Sequence, residues 1–235
     1  HRDLHSFPTR RSSDLRVGNE LYTVWFPPDS LPLRAELRDG QSFRAGDEII
    51  RLKVVSGDHL FVNRLIYNFR QPHRGEIIVF ASAGLPGLTP DTHYIRRLIA
   101  LGNETVSIGD DRHVVIDGER LDASTPGFEN VYGFDPNELP RRNHYSGHVN
   151  GATARLAGHP ELGHVIRLFP NARAQYRVRP DHYLVFGDNT MNSTDSRMWG
   201  DLAQGVPGDI PEEKVIGRAS FVFWPISSRF GWGYR

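Results

Sequence analysis

GDNTMNSTDSRMWG, residues 187–200, packs Asp188, Asn189, Asn192, Ser193, Asp195, Ser196 and Arg197 into one short stretch. An apolar run, YLVF at residues 183–186, precedes it, and VIGRASFVFWP at residues 215–225 follows. Asn, Asp and Ser oxygens accept hydrogen bonds from nearby backbone N–H groups, so a loop this rich in them builds its own turns and is rigid. Rigid polar loops held between strands are where sites sit, and residues 187–200 are read as an active-site loop. Asp195 and Arg197, two positions apart, are placed to form a charge-assisted pair, which leaves Ser193 to point elsewhere.

The chain around this loop has the texture of short strands joined by turns. ELYTVWF (20–26) is followed by a break at Pro27, Pro28 and Pro32, then by RAELRDGQSFRAGDEIIRLKVV (34–55), with Asp39-Gly40 as a hairpin signal. HLFVNRLIY (59–67) and EIIVF (76–80) flank a basic, Pro-containing turn, and HYIRRLIALGNETVSIGDD (93–111) gives another strand and turn. HVVIDGERLD (113–122) is a small hairpin about Asp117-Gly118. From Ala123 to Asn171 the sequence is rich in Gly, Asn, His and Pro and has little periodicity, which reads as an irregular insertion or lid without a core of its own. Many short strands with few helical stripes predict an all-β fold of antiparallel sheets wrapped on one another.

Composition limits the function. Lys+Arg and Asp+Glu are both 28, so the formal charge is zero and no global field draws the chain to nucleic acid. With no cysteine, a thiolate nucleophile, a Cys-ligated zinc and a disulfide are all excluded. The eleven histidines, with His144, His148, His159 and His164 in the irregular region, form no HExxH or other close metal constellation and are read as loop and surface residues. No metal and no cofactor is expected. No apolar window is long enough to span a bilayer. HRDLHSFPTRRSSDL (1–15) has no periodic apolar face and reads as a leader foreign to the fold, disordered or left from sequencing adapter.

Three boxes, in order, resemble those of bacterial type I signal peptidases, serine endopeptidases of the membrane that remove signal peptides from exported preproteins. GDHLFVNRLIYNFRQPHRGEIIVF (57–80) is similar to the family's GD strand and RG-(D/E)-I-V-V-F strand. YIRRLIALGNETV (94–106) is similar to its YIKR box, and GDNTMNSTDSRMWG to its GDNR-x-x-S-x-DSR-x-x-G box, followed by the GRA-x-F-V-(F/Y)-WP ending at 217–225. The resemblance covers about three quarters of the chain. It implies a signal-peptidase-type β fold with a Ser/Lys dyad, in which a neutral lysine takes the proton of a serine nucleophile. Carried over, Ser193 is the serine that orients the base, while Asp188, Asn189, Asp195, Ser196 and Arg197 brace the loop. His93, Tyr94 and Ile95 form the strand edge on which the substrate lies, with small apolar pockets. The implied partners are signal-peptide segments of preproteins and the bacterial cytoplasmic membrane, reached through an N-terminal anchor and C-terminal aromatics, with the catalytic domain on the outer face.

Two departures bear on activity. The family's lysine falls on Arg96, whose guanidinium has a pKa above ~12 and no lone pair to offer, so it cannot be a general base near neutrality. Arg97 fails for the same reason, and Lys53 lies well before the box. The family's Ser-Met-x-Pro-Thr nucleophile box is expected to lie upstream of residue 16, outside the chain; Ser6-Phe7-Pro8-Thr9 resembles it only loosely. The expected organisation is a leader at 1–15, an insertion or N-terminal strands at 16–56, a catalytic core at 57–110 and 177–235, and a variable insertion or cap at 111–176. The expected function is a signal-peptidase-family serine endopeptidase, inactive as it stands, with a catalytically dead peptide-binding relative as the alternative.

Overall fold

The computed structural model describes residues 12–25, 41–44, 46–50, 58–141, 144–226 and 230–232, and falls into two compact units, 1–57 and 58–235. In the first unit, β1 (Ser12–Val17) pairs antiparallel with β2 (Glu20–Trp25) across a turn at Gly18 and Asn19. The boundary drawn at residue 15 therefore falls inside a paired strand, Asp14 facing Thr23 in the register. The Thr23 hydroxyl donates to the Asp14 carboxylate at 2.8 Å. The described part of 41–50 carries no strand, and the Asp39-Gly40 turn, Lys53 and Ser6 to Thr9 lie outside the described residues.

The second unit is built on antiparallel sheets, as the short apolar runs predicted. The larger is ordered β11 (Ile210–Pro211), β10 (His182–Phe186), β5 (His93–Ala100), β4 (Ile77–Ala81), β12 (Val215–Trp224), β13 (Gly231–Trp232), with β3 (His59–Asn63) also paired to β12. A four-stranded sheet runs β8 (Glu119–Arg120), β7 (Val114–Ile116), β6 (Thr105–Ile108), β9 (Tyr176–Arg177). Between β7 and β8, Asp117 (φ 49°) and Gly118 (φ 89°) both take left-handed backbone, which is the turn that the Asp-Gly pair specifies. Short helices complete the unit: α1 (Gly151–Leu156), α2 (Pro160–Val165) and α3 (Ser196–Trp199). No helix among the described residues is long and apolar enough to cross a membrane.

β5 and β10 are buried on both faces because alternate residues point to opposite sides of a strand. Ile99, Leu184 and Phe186 enter one cluster with β6 and β7; Leu98, Tyr183 and Val185 enter a second with Ile78, Phe80 and Trp199. The stretch expected to be a lid without a core supplies Phe128, Val131, Val149, Ala154, Leu168 and Phe169, all completely buried in the first cluster. Its apolar residues are spaced irregularly because they descend from loops and short helices, so they show no strand or helix period. The segment is thus part of the main core rather than a cap on it.

His148 corrects the assignment of the histidines to loops and surface. It is completely buried, its Nδ1 3.0 Å from the Tyr132 hydroxyl, which also accepts the Val114 N–H at 3.3 Å. Burial, with the positive charges of Arg197 and Arg97 and the neighbouring His113, holds the His148 pKa well below the ordinary imidazole value. His113, buried beside it, is lowered in the same direction by desolvation. A proton bound by the unfolded chain and refused by the folded one makes stability fall with pH. The loss begins as pH drops below the unfolded value of about 6.5 and approaches ~1.4 kcal/mol per pH unit for each such group. Urea unfolding midpoints measured from pH 7.5 down to 5.5 should therefore fall, and His148→Gln should flatten the slope. An unchanged slope in that variant would show that His148 is not the group responsible.

Candidate active site

The loop 187–200 is built around a buried ion pair. Arg197 and Asp195 are both fully buried, and the guanidinium lies bidentate on the carboxylate, Nε to Oδ1 at 2.8 Å and Nη2 to Oδ2 at 2.7 Å. A buried pair is stable only where the remaining donors and lone pairs are also met. Here they are met on every side. Asp195 accepts the N–H of Gly187 at 2.9 Å and of Arg197 at 3.2 Å, so it caps the first turn of α3 and holds the end of β10 at once. Arg197 donates to the carbonyl of Val149 at 3.2 Å, to Thr190 Oγ1 at 2.6 Å and to the Thr190 carbonyl at 3.2 Å. Thr190 Oγ1 in turn accepts the Val149 N–H at 2.9 Å. One salt bridge therefore joins the loop, the strand before it, the helix after it and Val149.

Ser196 has a separate task. Its hydroxyl accepts the Val185 N–H at 3.1 Å, beside the shift in register between Leu184 and Val185 where β10 and β5 lose their regular ladder. The backbone of Asn189 closes a turn by accepting the Asn192 N–H at 3.0 Å.

Asp188 braces a different partner from its neighbours. It lies bidentate on Arg97, at 2.7 Å from Nε and 2.6 Å from Nη2, and Arg97 also donates to the Gly75 carbonyl at 2.8 Å and to that of Gly127. Burial alone would lower the Arg97 pKa, and the Asp188 carboxylate more than reverses it. Arg97 was set aside in the sequence only as a failed base. Its position next to Arg96 on an alternating strand was the available signal that it points the other way, into the structure.

Ser193 and Arg96 meet at Gly187. A Cβ built on Gly187 would stand 1.7 Å from Ser193 Oγ and 3.5 Å from Arg96 Cδ, so the Ser193 side chain fills the space that only glycine leaves. Arg96 reaches over from β5 and donates from Nε (3.1 Å) and Nη2 (2.5 Å) to the carbonyl of Thr194, and from Nη1 (2.6 Å) to the carbonyl of Ile95. Burial lowers its pKa from the ordinary arginine value, and the charges of Asp195 and Tyr94 oppose that shift. A guanidinium remains charged under such a shift and has no lone pair for a proton.

His93, Tyr94 and Ile95 lie on β5 just beyond the reach of β10, whose ladder with β5 covers Arg97 to Ala100 only. On the other side they face β4, Tyr94 opposite Phe80 and His93 opposite Ala81. The Thr92 carbonyl accepts from Ser82 and the Leu98 N–H donates to Glu76, so the even positions of β5 bond to β4. By the two-residue period, the N–H and C=O of His93 and Ile95 face the opposite edge, which no strand occupies among the described residues. His93 and Ile95 are exposed there, while Tyr94 packs its ring toward Phe80 and Trp199.

Asp195 and Arg197 thus form one buried knot, with Ser196 bonded beside it to β10; Arg96 and Ser193 converge at Gly187; Asp188 belongs to Arg97. No group of three or more His, Asp or Glu residues among those described is arranged to hold a metal. Removing one partner of the buried pair should be costly: Asp195→Asn or Arg197→Met should lower unfolding free energy by about 3–5 kcal/mol. Because both changes break the same knot, the double variant should cost clearly less than the sum of the two, measured by urea denaturation. Additive losses would show that the pair is not coupled.

A family model described as "Signal peptidase, peptidase S26" matches residues 50–224. Signal peptidase I of Pseudomonas fluorescens is 28% identical over 193 residues, covering 72% of this chain and 60% of that protein. Signal peptidase I of Pseudomonas aeruginosa is 26% identical with the same coverage, so the chain spans about 60% of the length of these curated relatives. A crystal structure of a signal peptidase I from Enterococcus faecalis is similar at 23% identity and a TM-score of 0.37, covering 64% of this chain and 98% of that one. With its loop, its open strand edge and a match over most of its length, the chain belongs to the signal peptidase family, peptidase S26.

Proposed function

We propose that this chain is the extracytoplasmic substrate-binding and catalytic portion of a serine endopeptidase that acts on signal peptides of exported preproteins at the bacterial cytoplasmic membrane, and that Arg96 prevents turnover. The observation that carries the first half is the open side of β5 at His93 and Ile95, whose backbone N–H and C=O groups lack a strand partner among the described residues. An extended peptide can add there as a further strand, with the exposed Ile95 side chain and the Tyr94 ring beside it. The second half rests on chemistry. A lysine amine at position 96 could be desolvated to a neutral base beside Ser193, whereas a guanidinium binds oxygen atoms and keeps its protons. Its bonds to the Thr194 and Ile95 carbonyls are those of a clamp. That favours the second reading, a peptide-binding relative that does not cut.

Aromatic side chains on β3, β12 and β13 support the membrane part of the proposal. Phe61, Phe223, Trp224, Phe230 and Trp232 are all exposed, Phe61 tilted against Phe223 at 4.7 Å and Trp232 packing edge-on to Phe221 at 5.3 Å. Exposed Trp rings, apolar in body with a polar N–H, suit the headgroup level of a bilayer, and exposed Phe rings add apolar surface.

Two measurements follow. The chain should bind an extended signal-peptide substrate and leave it intact; turnover by the wild type that is lost in Ser193→Ala would overturn the inactive assignment. A Phe230→Ala, Trp232→Ala double variant should float with liposomes clearly less than the wild type. Equal flotation would remove the aromatic edge as a membrane contact.

A further inference from the structure

The charges around Gly187 do not balance. Asp188 is taken by Arg97 and Asp195 by Arg197, each pair bidentate. Arg96, the third guanidinium, has no carboxylate partner among the described residues; its bonds go to two backbone carbonyls, at Thr194 and Ile95. It is half-buried, its guanidinium lies over the Tyr94 ring at 5.5 Å, and the charge of Asp195 acts on it without a direct bond. Nε, Nη1 and Nη2 each direct one N–H at those carbonyls, so the second N–H on each of Nη1 and Nη2 remains without an acceptor among the described residues. Paired N–H groups on a guanidinium match a carboxylate in geometry and charge.

Arg96 also ends the open edge. The Ile95 carbonyl, which would accept from an added strand, already accepts from Arg96 Nη1 at 2.6 Å. An added strand can pair with the backbone of His93 and with the Ile95 N–H, and then meets the guanidinium. If that strand runs in the same direction as β5, the end that arrives at Arg96 is its C-terminus. A groove that closes on a cation with no bonded carboxylate fits a chain that stops, better than one that runs through.

We propose that Arg96 turns this site into a receptor for the free C-terminal carboxylate of an extended peptide, the kind of end that cleavage of a preprotein leaves on the released signal peptide. The assignment rests on the β5 edge being a peptide groove, as proposed above. No bond is made or broken; the carboxylate replaces solvent on the two open N–H groups of Arg96, beside Ser193.

The test uses fluorescence anisotropy with three forms of one labelled peptide of small and apolar residues: ending Ala-Leu-Ala with a free carboxylate, the same peptide as its C-terminal amide, and the same peptide extended by several residues. A hydrogen-bonded carboxylate should make the free acid bind the wild type about ten- to a hundredfold tighter than the amide or the extended form. Arg96→Gln should abolish that preference, with thermal melting used to confirm that the variant is folded. Ile95→Pro, which removes an edge-side N–H without touching the β4 ladder, should weaken all three forms. Acid and amide binding equally to the wild type, with both weakened by Ile95→Pro, would leave the groove standing and overturn the carboxylate assignment. A preference for the acid that survives Arg96→Gln would overturn it as well. If no form binds, the groove itself is wrong and the assignment falls with it.

Discussion

Everything that positions this site passes through the buried bond between Asp195 and Arg197. The carboxylate holds the Gly187 N–H at the end of β10 and the first turn of α3, while the guanidinium holds Val149 and Thr190. Desolvating two charges is expensive, and only complete satisfaction of both groups makes the arrangement stable. That requirement is also what makes it specific. A loop that drifted would leave a buried charge exposed to an apolar surrounding, since Phe186 lies under the guanidinium at 5.5 Å. The site is therefore fixed by polar geometry inside a β scaffold rather than by packing alone.

Rigidity on one side of Gly187 and openness on the other give the site its character. β5 is locked to β10 through Arg97 to Ala100 and to β4 from His93 to Arg97, yet its His93 to Ile95 segment keeps one edge unpaired among the described residues. Exposed edges usually invite unwanted pairing, and proteins blunt them with charge or cover. Here the end of the open segment is met by Arg96, which takes the Ile95 carbonyl for itself. A permanently charged fork at that point sets what the site can do. It can hold an oxygen, and it cannot accept a proton.

Much of this was legible in the residues. The alternating apolar runs marked β3, β4, β5, β10 and β12, Asp117-Gly118 marked the turn between β7 and β8, and the density of Asn, Asp and Ser at 187–200 marked the loop. Each of these signals is local: period-two burial, a left-handed turn, side chains bonding to backbone a few residues away. The pairing of Asp195 with Arg197 is of the same kind, because the two are separated by a single residue. The irregular stretch from Ala123 to Asn171 was not legible. Phe128, Val131 and Phe169 reach the core from turns and loop ends, where no period exists to announce burial, and His148 was hidden for the same reason.

The sequence by itself determined the fold class, the places of the main strands though not their ends, the family to which the boxes belong and the absence of a lysine at position 96. Those follow from properties of neighbouring residues and of single side chains. Only the tertiary structure decided which carboxylate each arginine would take, that Asp188 goes to Arg97, that Ser193 occupies the place of a missing Gly187 side chain, and that Arg96 bonds two carbonyls and no carboxylate among the described residues. Those partners lie far apart in the chain, and an ion pair depends on which charges the fold brings within reach and which it has already satisfied.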